Sequence, residues 1–94
     1  MKIEWDHNKD LKNRRKHKIS FSTAAEVFED PLHISILDKR FSYFEERWIT
    51  IGATENFILI VVAHNVFSED GEEIIRIISA REATNYERRQ YEQI

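Results

Sequence analysis

The sequence predicts an α+β fold in which an antiparallel sheet of four to five strands carries two N-terminal helices on one face and a C-terminal helix. Several short segments are rich in β-branched residues, turn-forming residues separate consecutive segments, and helix-capping patterns occur towards both ends of the chain. Because short links join the successive strand segments, an antiparallel meander is favoured over a parallel arrangement.

The composition indicates one folded domain. The 94 residues suffice for a single modest core, so we assign residues 1–94 to one domain. The chain has no cysteine, which excludes disulfides and thiolate metal sites. No apolar run is long enough to cross a membrane, and the N-terminal residues lack a secretory pattern. We therefore expect a cytoplasmic protein that does not contact membranes.

The charge is unevenly distributed. The formal net charge is −3, yet the first twenty residues contain seven lysines or arginines and three acidic residues. Such segregation predicts a basic surface on an acidic body, which is the local field that a polyanion would meet. The plainer alternative is a solvated helix face.

The basic segment predicts a short strand followed by a helix. The strand Lys2–Trp5 alternates polar and apolar residues, and Asp6 is a suitable N-cap for a helix that runs to about His17. This helix has almost no apolar stripe beyond Leu11, so we expect it to lie on the surface, held mainly by its ends.

A second short helix and four strands are predicted next. Thr23 and Glu26 have the spacing of a capping box, and Asp30-Pro31 ends the helix that they begin. The strands are predicted at Leu32–Leu37, Glu46–Ala53, Phe57–Val66 and Glu72–Arg81, with a loop at Asp38–Phe44 and turns at Gly52–Asn56 and Ser68–Gly71. The third of these strands is the most apolar, so we expect it at the centre of the sheet.

The C-terminal segment predicts a last helix. Thr84 and Glu87 form another capping box, and the helix runs to about Gln93. Its apolar content is thin, so we expect it to dock loosely or to serve as a partner surface.

Arg76 is the clearest pointer to a functional site. Four isoleucines surround it, and this density of β-branched residues predicts a largely buried strand. A buried guanidinium requires an anion or a set of acceptors, because arginine cannot lose its charge. The plainer alternative is that Arg76 reaches the edge of the sheet or pairs with Glu45 or Glu46.

Arg76 belongs to a wider group of cationic and titratable side chains. Arg47, His64 and Arg76 lie in consecutive predicted strands, and Arg81 and the Lys16-His17 pair could approach the same edge. RNA cleavage by 2′-hydroxyl attack requires such a group. Guanidinium donors stabilise the charge that develops on the phosphate without a metal, and histidine can transfer protons.

These residues also have structural interpretations. His64 would then be a hydrogen-bonded residue at the rim of the sheet, and His17 would stabilise the negative end of its helix. The four histidines show no paired ligand spacing, so no metal site is predicted.

Motifs in a characteristic order cover nearly the whole chain. They are Trp5-Asp6, Lys9, Asn13, Lys16-His17, Phe21, Ala25, Phe28, Asp30-Pro31, Glu46-Arg47, Ile51-Gly52, Val61-Val62, His64, the run from Arg76 to Arg81, Ala83-Thr84, Glu87-Arg88 and Tyr91. This ordered set resembles the BrnT family of bacterial type II toxins. In two departures, Lys18 stands where the family usually has glycine, at the helix C-cap, and Asn65 stands where it usually has threonine.

The resemblance implies a RelE-like fold and a metal-independent endoribonuclease that arrests translation without a cofactor. It also implies neutralisation by a BrnA-type antitoxin, through which alone the complex would contact DNA and repress its own operon. A homodimer, or a heterotetramer with the antitoxin, is compatible with such a system.

We therefore hypothesise RNA cleavage, with roles assigned as follows. Arg76 and Arg81 stabilise the phosphate and the transition state, supported by Arg47. Candidates for proton transfer, which the sequence does not rank, are Lys16, His17 and His64, and candidates for RNA binding are Lys9, Lys12 and Arg15.

Two alternatives stay open. One is a non-catalytic module that acts only as the partner of a DNA-binding antitoxin, and the other is a metal-dependent nuclease. The nuclease hypothesis requires Arg47, Arg76 and Arg81 to face one concave patch. It fails if they point in unrelated directions or if each is already matched by a carboxylate of the same chain.

Overall fold

A computed structural model describes residues 1–41 and 45–93 as a sheet of five strands with three α-helices. In chain order the elements are β1 (Lys2–Trp5), α1 (His7–His17), α2 (Phe21–Ala24), β2 (Ile34–Leu37), β3 (Glu46–Ala53), β4 (Leu59–Glu69), β5 (Glu72–Glu82) and α3 (Asn85–Glu92). Two 3₁₀-helices span Ala25–Glu29 and Lys39–Phe41. The predicted loop is thus partly helical, and its residues 42–44 lie outside the described ranges. Within those ranges, every helix is too short or too polar to span a membrane.

The sheet is mixed rather than purely antiparallel. Its strand order is β1-β5-β4-β3-β2, with β4 at the centre, as its apolar sequence predicted. The pairs β2–β3, β3–β4 and β4–β5 are antiparallel. The pair β1–β5 is parallel, so the prediction of an antiparallel sheet is wrong for the first strand. Short turns dictate the direction only of strands that they join, whereas most of the chain separates β1 from β5.

The first helix is capped as predicted, but the second is not. The carboxylate of Asp6 accepts a hydrogen bond from the Lys9 amide, as predicted for α1. The predicted capping box of the second helix is wrong, because the Ser20 hydroxyl caps α2 by accepting from the Thr23 amide. Helix α2 therefore begins earlier than expected and tightens into a 3₁₀-helix at Ala25.

Helix α1 is anchored by buried polar residues in its middle rather than by its ends. The Asp10 carboxylate accepts from the Phe21 amide at 2.8 Å. Asn13 donates to the carbonyl oxygens of Ile19 and Ala80 at 2.9 and 2.8 Å and accepts from the Ala80 amide at 3.1 Å. Because β1 stops pairing with β5 at Ile77, Asn13 takes the place of a strand partner beyond that point.

The main core lies between the sheet and α2 with its 3₁₀ extension. Its buried members are Ile19, Phe21, Ala24, Val27, Ile60, Val62, Ile77 and Ala80. The predicted strand Glu46–Ala53 is confirmed as β3, and Gly52, expected to contribute to the turn after it, lies inside the strand, where an added Cβ would stand 2.9 Å from the Cβ of Val27. The glycine therefore lets the 3₁₀-helix approach the sheet closely.

The last hairpin turn and the N-terminal cap of the last helix form as predicted. Asp70 and Gly71 adopt φ angles of 51° and 79° in the β4–β5 hairpin. Thr84 and Glu87 form the complete capping box at the start of α3. The helix is tied to the body more firmly than expected, because the Tyr91 hydroxyl donates to Asp30 at 2.7 Å, which raises the pKa of Tyr91 to about 12.

Candidate functional site

A β-bulge determines which arginines share a face of the sheet. Residues 76 and 81 are separated by an odd number, so regular alternation would place their side chains on opposite faces. The pairing between β4 and β5 shifts between Ala63 and His64, which leaves Ile78 without a direct partner. As a result Arg76 lies opposite Asn65 and Arg81 opposite Val61, both on the face away from the main core.

Arg47 lies on the same face. A row of cross-strand neighbours runs through Arg47, Asn65, Arg76 and Glu4 on β3, β4, β5 and β1. The three arginines of the hypothesis therefore do face one side of the sheet.

We call this side of the sheet the open face. Two adjoining concavities lie near it, and Ser79 lines both of them. One, of about 170 Å³, is lined by Arg40, Arg47 and Arg81 together with Asp38, Ser79 and apolar strand residues. The other, of about 350 Å³, lies between α1 and β5. Its polar lining residues are Lys9, Lys12, Asn13, Lys16, His17 and Ser79. We call the two together the basic groove, because six cationic side chains and a histidine line it against one carboxylate, that of Asp38.

Arg81 is held by α3. Its guanidinium donates to both carboxylate oxygens of Glu87 at 2.7 and 2.8 Å and to the Glu82 carbonyl at 3.2 Å. The Arg81 contact is the main reason that the pKa of Glu87 falls to about 2. Since a guanidinium has about five N–H donors, some remain for another acceptor.

Arg76 lies beside the groove rather than in it, so the required concave patch holds Arg47 and Arg81 but not Arg76. Its guanidinium contacts Glu4 at 3.0 Å and Glu45 at 3.6 Å and stands 4.6 Å from the centre of the Phe67 ring. The side chain is 41% exposed, so the prediction of burial at this position is wrong. Glu45 was one of the two partners that the structural interpretation named.

Arg40 is a groove residue that sequence reasoning missed. It forms an ion pair with Asp38 at 3.1 Å, and this hydrogen bond lowers the pKa of Asp38. It lies in a 3₁₀-helix of three residues, which is too short to show a periodic pattern in the sequence. Only the fold therefore shows that Arg40 lies near Arg47.

His64 is separated from the arginines by the sheet. It points into the core face, where its Nε2 lies 2.7 Å from the Thr50 hydroxyl and its ring packs edge-on against Phe28. Burial lowers the pKa of His64 to about 4, so the ring is neutral at physiological pH. The expectation that His64 belongs with the arginines is therefore corrected.

Of the three residues predicted to bind RNA, two lie in the groove and one does not. Lys9 and Lys12 line the groove, whereas Arg15 is exposed on α1 outside its lining. Among residues 1–41 and 45–93, no group of three or more metal-binding side chains is found.

Comparison with known proteins identifies relatives of this arrangement. The chain resembles the crystal structure of the ribonuclease toxin BrnT from Brucella abortus, with a TM-score of 0.66 and 25% sequence identity over 90% of this chain and 99% of that one. No significant match to a functionally curated protein was found. A family model described as the ribonuclease toxin BrnT of type II toxin–antitoxin systems matches residues 5–87. The chain therefore belongs to the BrnT toxin family of type II toxin–antitoxin systems.

Proposed function

We propose that this chain is a metal-independent endoribonuclease that arrests translation by cleaving RNA and is neutralised by its antitoxin. The observation that carries the proposal is the basic groove, in which lysines from α1 and arginines from the sheet meet at Ser79. The description of the family as ribonuclease toxins supports the same activity.

The shape of the groove suits a phosphate backbone. Lys9, Lys12 and Lys16 line the concavity beside α1 and supply the sequence-independent attraction that dominates nucleic-acid affinity. Arg47 and Arg81 line the adjoining concavity, where the next stretch of the backbone would lie. The groove thus binds RNA along its length and places one phosphate among the arginines.

The chemistry follows from these side chains. The 2′-oxygen attacks the adjacent phosphorus, the bond from phosphorus to the 5′-oxygen breaks, and a 2′,3′-cyclic phosphate and a 5′-hydroxyl result. Arg47 and Arg81 stabilise the negative charge on the non-bridging oxygens. Lys16 and His17 accept the 2′-hydroxyl proton and supply a proton to the 5′-oxygen, in an order that their positions leave open.

The carboxylate partners define how the arginines act. Glu87 fixes the Arg81 guanidinium through two hydrogen bonds and leaves donors for phosphate. Arg76 is held by Glu4 and Glu45 in the adjacent row and supports the phosphate from there. Held in this way, the arginines are oriented before RNA binds, at the expense of part of their positive field.

Those same ion pairs favour the second candidate, a binding module without catalysis. If Glu87 and Glu45 neutralise their arginines fully, the groove would bind RNA weakly and the chain would act only through its antitoxin.

Incubation of the purified protein with RNA in the presence of a chelator tests the proposal. Fragments with 2′,3′-cyclic phosphate ends support the metal-independent enzyme. Intact RNA together with tight antitoxin binding supports the module, and activity that only a divalent metal restores supports a metal-dependent nuclease.

Induced expression of the Arg76→Ala variant beside the wild type tests the role of that residue. We expect weaker growth arrest and slower RNA decay, because the variant loses a charge beside the groove. Equal arrest and equal decay at matched protein levels would exclude Arg76 from the chemistry.

The partner is proposed to be a BrnA-type antitoxin that supplies DNA binding for an autorepressing complex. A reading frame for a small, DNA-binding protein next to the gene would support this partner. Mass measurement of the co-purified complex would distinguish a heterotetramer from smaller assemblies.

A further inference from the structure

Phe57 is the most exposed large apolar residue among the residues that the structure describes. Its side chain is 90% exposed, and its backbone adopts φ +64°, a conformation that bulky residues rarely take. The turn that holds it is well ordered by hydrogen bonds. The Phe57 amide donates to the Thr54 carbonyl, and the Thr54 amide donates to the Ile58 carbonyl, both at 2.9 Å.

This placement is unfavourable for an aromatic residue. Exposure forgoes the gain of burying an aromatic ring, and the positive φ costs further free energy that Asn or Gly would avoid. Backbone strain of this kind persists at ligand-binding and functional positions. An aromatic side chain presented in this way is typical of the anchors that dominate protein–protein interfaces.

The surroundings of Phe57 indicate the chemistry of the partner. Phe57 and the half-exposed Leu32 lie on a concavity of about 450 Å³. Its rim carries four carboxylates, from Glu26, Glu29, Asp30 and Glu55, and no lysine or arginine lines it within the described ranges. None of the four carboxylates pairs with a lysine or arginine among the residues that the structure describes. We call this surface the acidic patch.

We propose that the acidic patch is the docking site for a basic segment of the protein partner in the toxin–antitoxin pair, with apolar side chains of that segment seated against Phe57 and Leu32. This inference rests on the partner part of the proposed function and not on RNA cleavage. Complementary charge favours the choice, because a polypeptide that binds DNA is rich in lysine and arginine and meets an acidic rim here. The rim also disfavours RNA itself, which is repelled by four carboxylates.

Binding of the protein encoded by the adjacent reading frame, measured calorimetrically without RNA, tests this site. We expect Phe57→Asn to weaken binding at least about tenfold, as removal of an anchor residue does. Asn tolerates positive φ, so the variant should fold at least as stably as the wild type. The matched control is Tyr86→Asn, which removes an aromatic residue 64% exposed on α3 and should bind like the wild type.

A charge reversal tests the rim. We expect Glu29→Lys to weaken binding more at low salt than at high salt, because the effect is electrostatic. Glu69→Lys, at the far end of β4, is the control. Unchanged binding by both Phe57→Asn and Glu29→Lys would overturn the proposal, as would failure of the wild type to bind that protein. Self-association that Phe57→Asn abolishes would assign the surface to a second copy instead and equally overturn it. The docking test contains no RNA, so its failure would not contradict the cleavage proposal. A chain that does not cleave RNA could still bind the partner at this surface.

Discussion

The two faces of the sheet differ in the charge of the ionisable side chains that they carry. On the face covered by α2 and its 3₁₀ extension, His64 is buried, neutral and bonded to Thr50. On the open face Arg76 and Arg81 keep their charge and are held by carboxylates at the surface. The core face thus accepts a titratable group only in its uncharged form, whereas the open face retains fixed positive charge.

This difference separates stability from the proposed activity. The core face carries the main core, whereas the other face carries only the smaller cluster of Ile51, Leu59 and Val61, so substitutions in the main core should lower the free energy of unfolding most. The open face carries the groove, so substitutions there should change RNA cleavage with a smaller effect on folding. Three predictions test this division and a fourth tests a helix cap, from the largest expected effect to the smallest.

Replacement of Phe21 by Ala tests the core face. The side chain is fully buried in the main core, so we expect a loss of about 3–5 kcal/mol in the free energy of unfolding. Urea denaturation measures it. The matched control is Phe67→Ala on the open face, where the ring is only partly buried and a loss of about 1–2 kcal/mol is expected. Equal losses would remove the distinction between the faces.

The stability of the fold should fall as the pH drops from about 6.5 to about 4, because of His64. The pKa of His64 is lowered from 6.5 to about 4 in the fold, so within this range the unfolded chain binds a proton that the folded chain does not. The loss should be on the order of 3 kcal/mol. Chemical denaturation across this range measures the slope, which His64→Gln should remove and the exposed control His7→Gln should retain. An identical slope in His64→Gln would contradict the burial argument.

Replacement of Arg81 by Ala tests the open face. Loss of a donor to the charged transition state should lower kcat/KM for RNA cleavage about 100-fold or more. Arg89→Ala is the control, because Arg89 is exposed on α3 outside the groove lining, and its effect should stay within about twofold. Thermal unfolding checks that both variants fold. A wild-type rate for Arg81→Ala would leave the groove without a catalytic role for this arginine.

Replacement of Lys18 by Gly should stabilise the fold by about 0.5–1 kcal/mol. Lys18 occupies the C-cap of α1 with φ 62°, a conformation that costs a residue with a side chain more than it costs glycine. Lys12→Gly in the interior of the same helix is the matched control and should destabilise by about 1 kcal/mol. The absence of a gain in Lys18→Gly would show that the cap is not strained.

The sequence alone determined the local features of this protein. The N-cap at Asp6, the hairpin turn at Asp70-Gly71 and the capping box at Thr84 depend on residues within a few positions of one another. The apolar run of β4 marked it as the central strand for the same reason, because composition within one segment measures how deeply that segment is buried. The ordered motifs likewise sufficed to predict the family that the comparison confirmed.

Only the tertiary structure decided which of the candidate residues meet. The bulge beside His64 placed Arg76 and Arg81 on one face, and the fold turned His64 away and brought Arg40 to Arg47. It also paired β1 with β5 in parallel and set Glu87 against Arg81. These outcomes depend on how separate elements pair and pack rather than on the residues within one segment. In the paired strands, a shift of one residue in register reverses the direction of every side chain that follows.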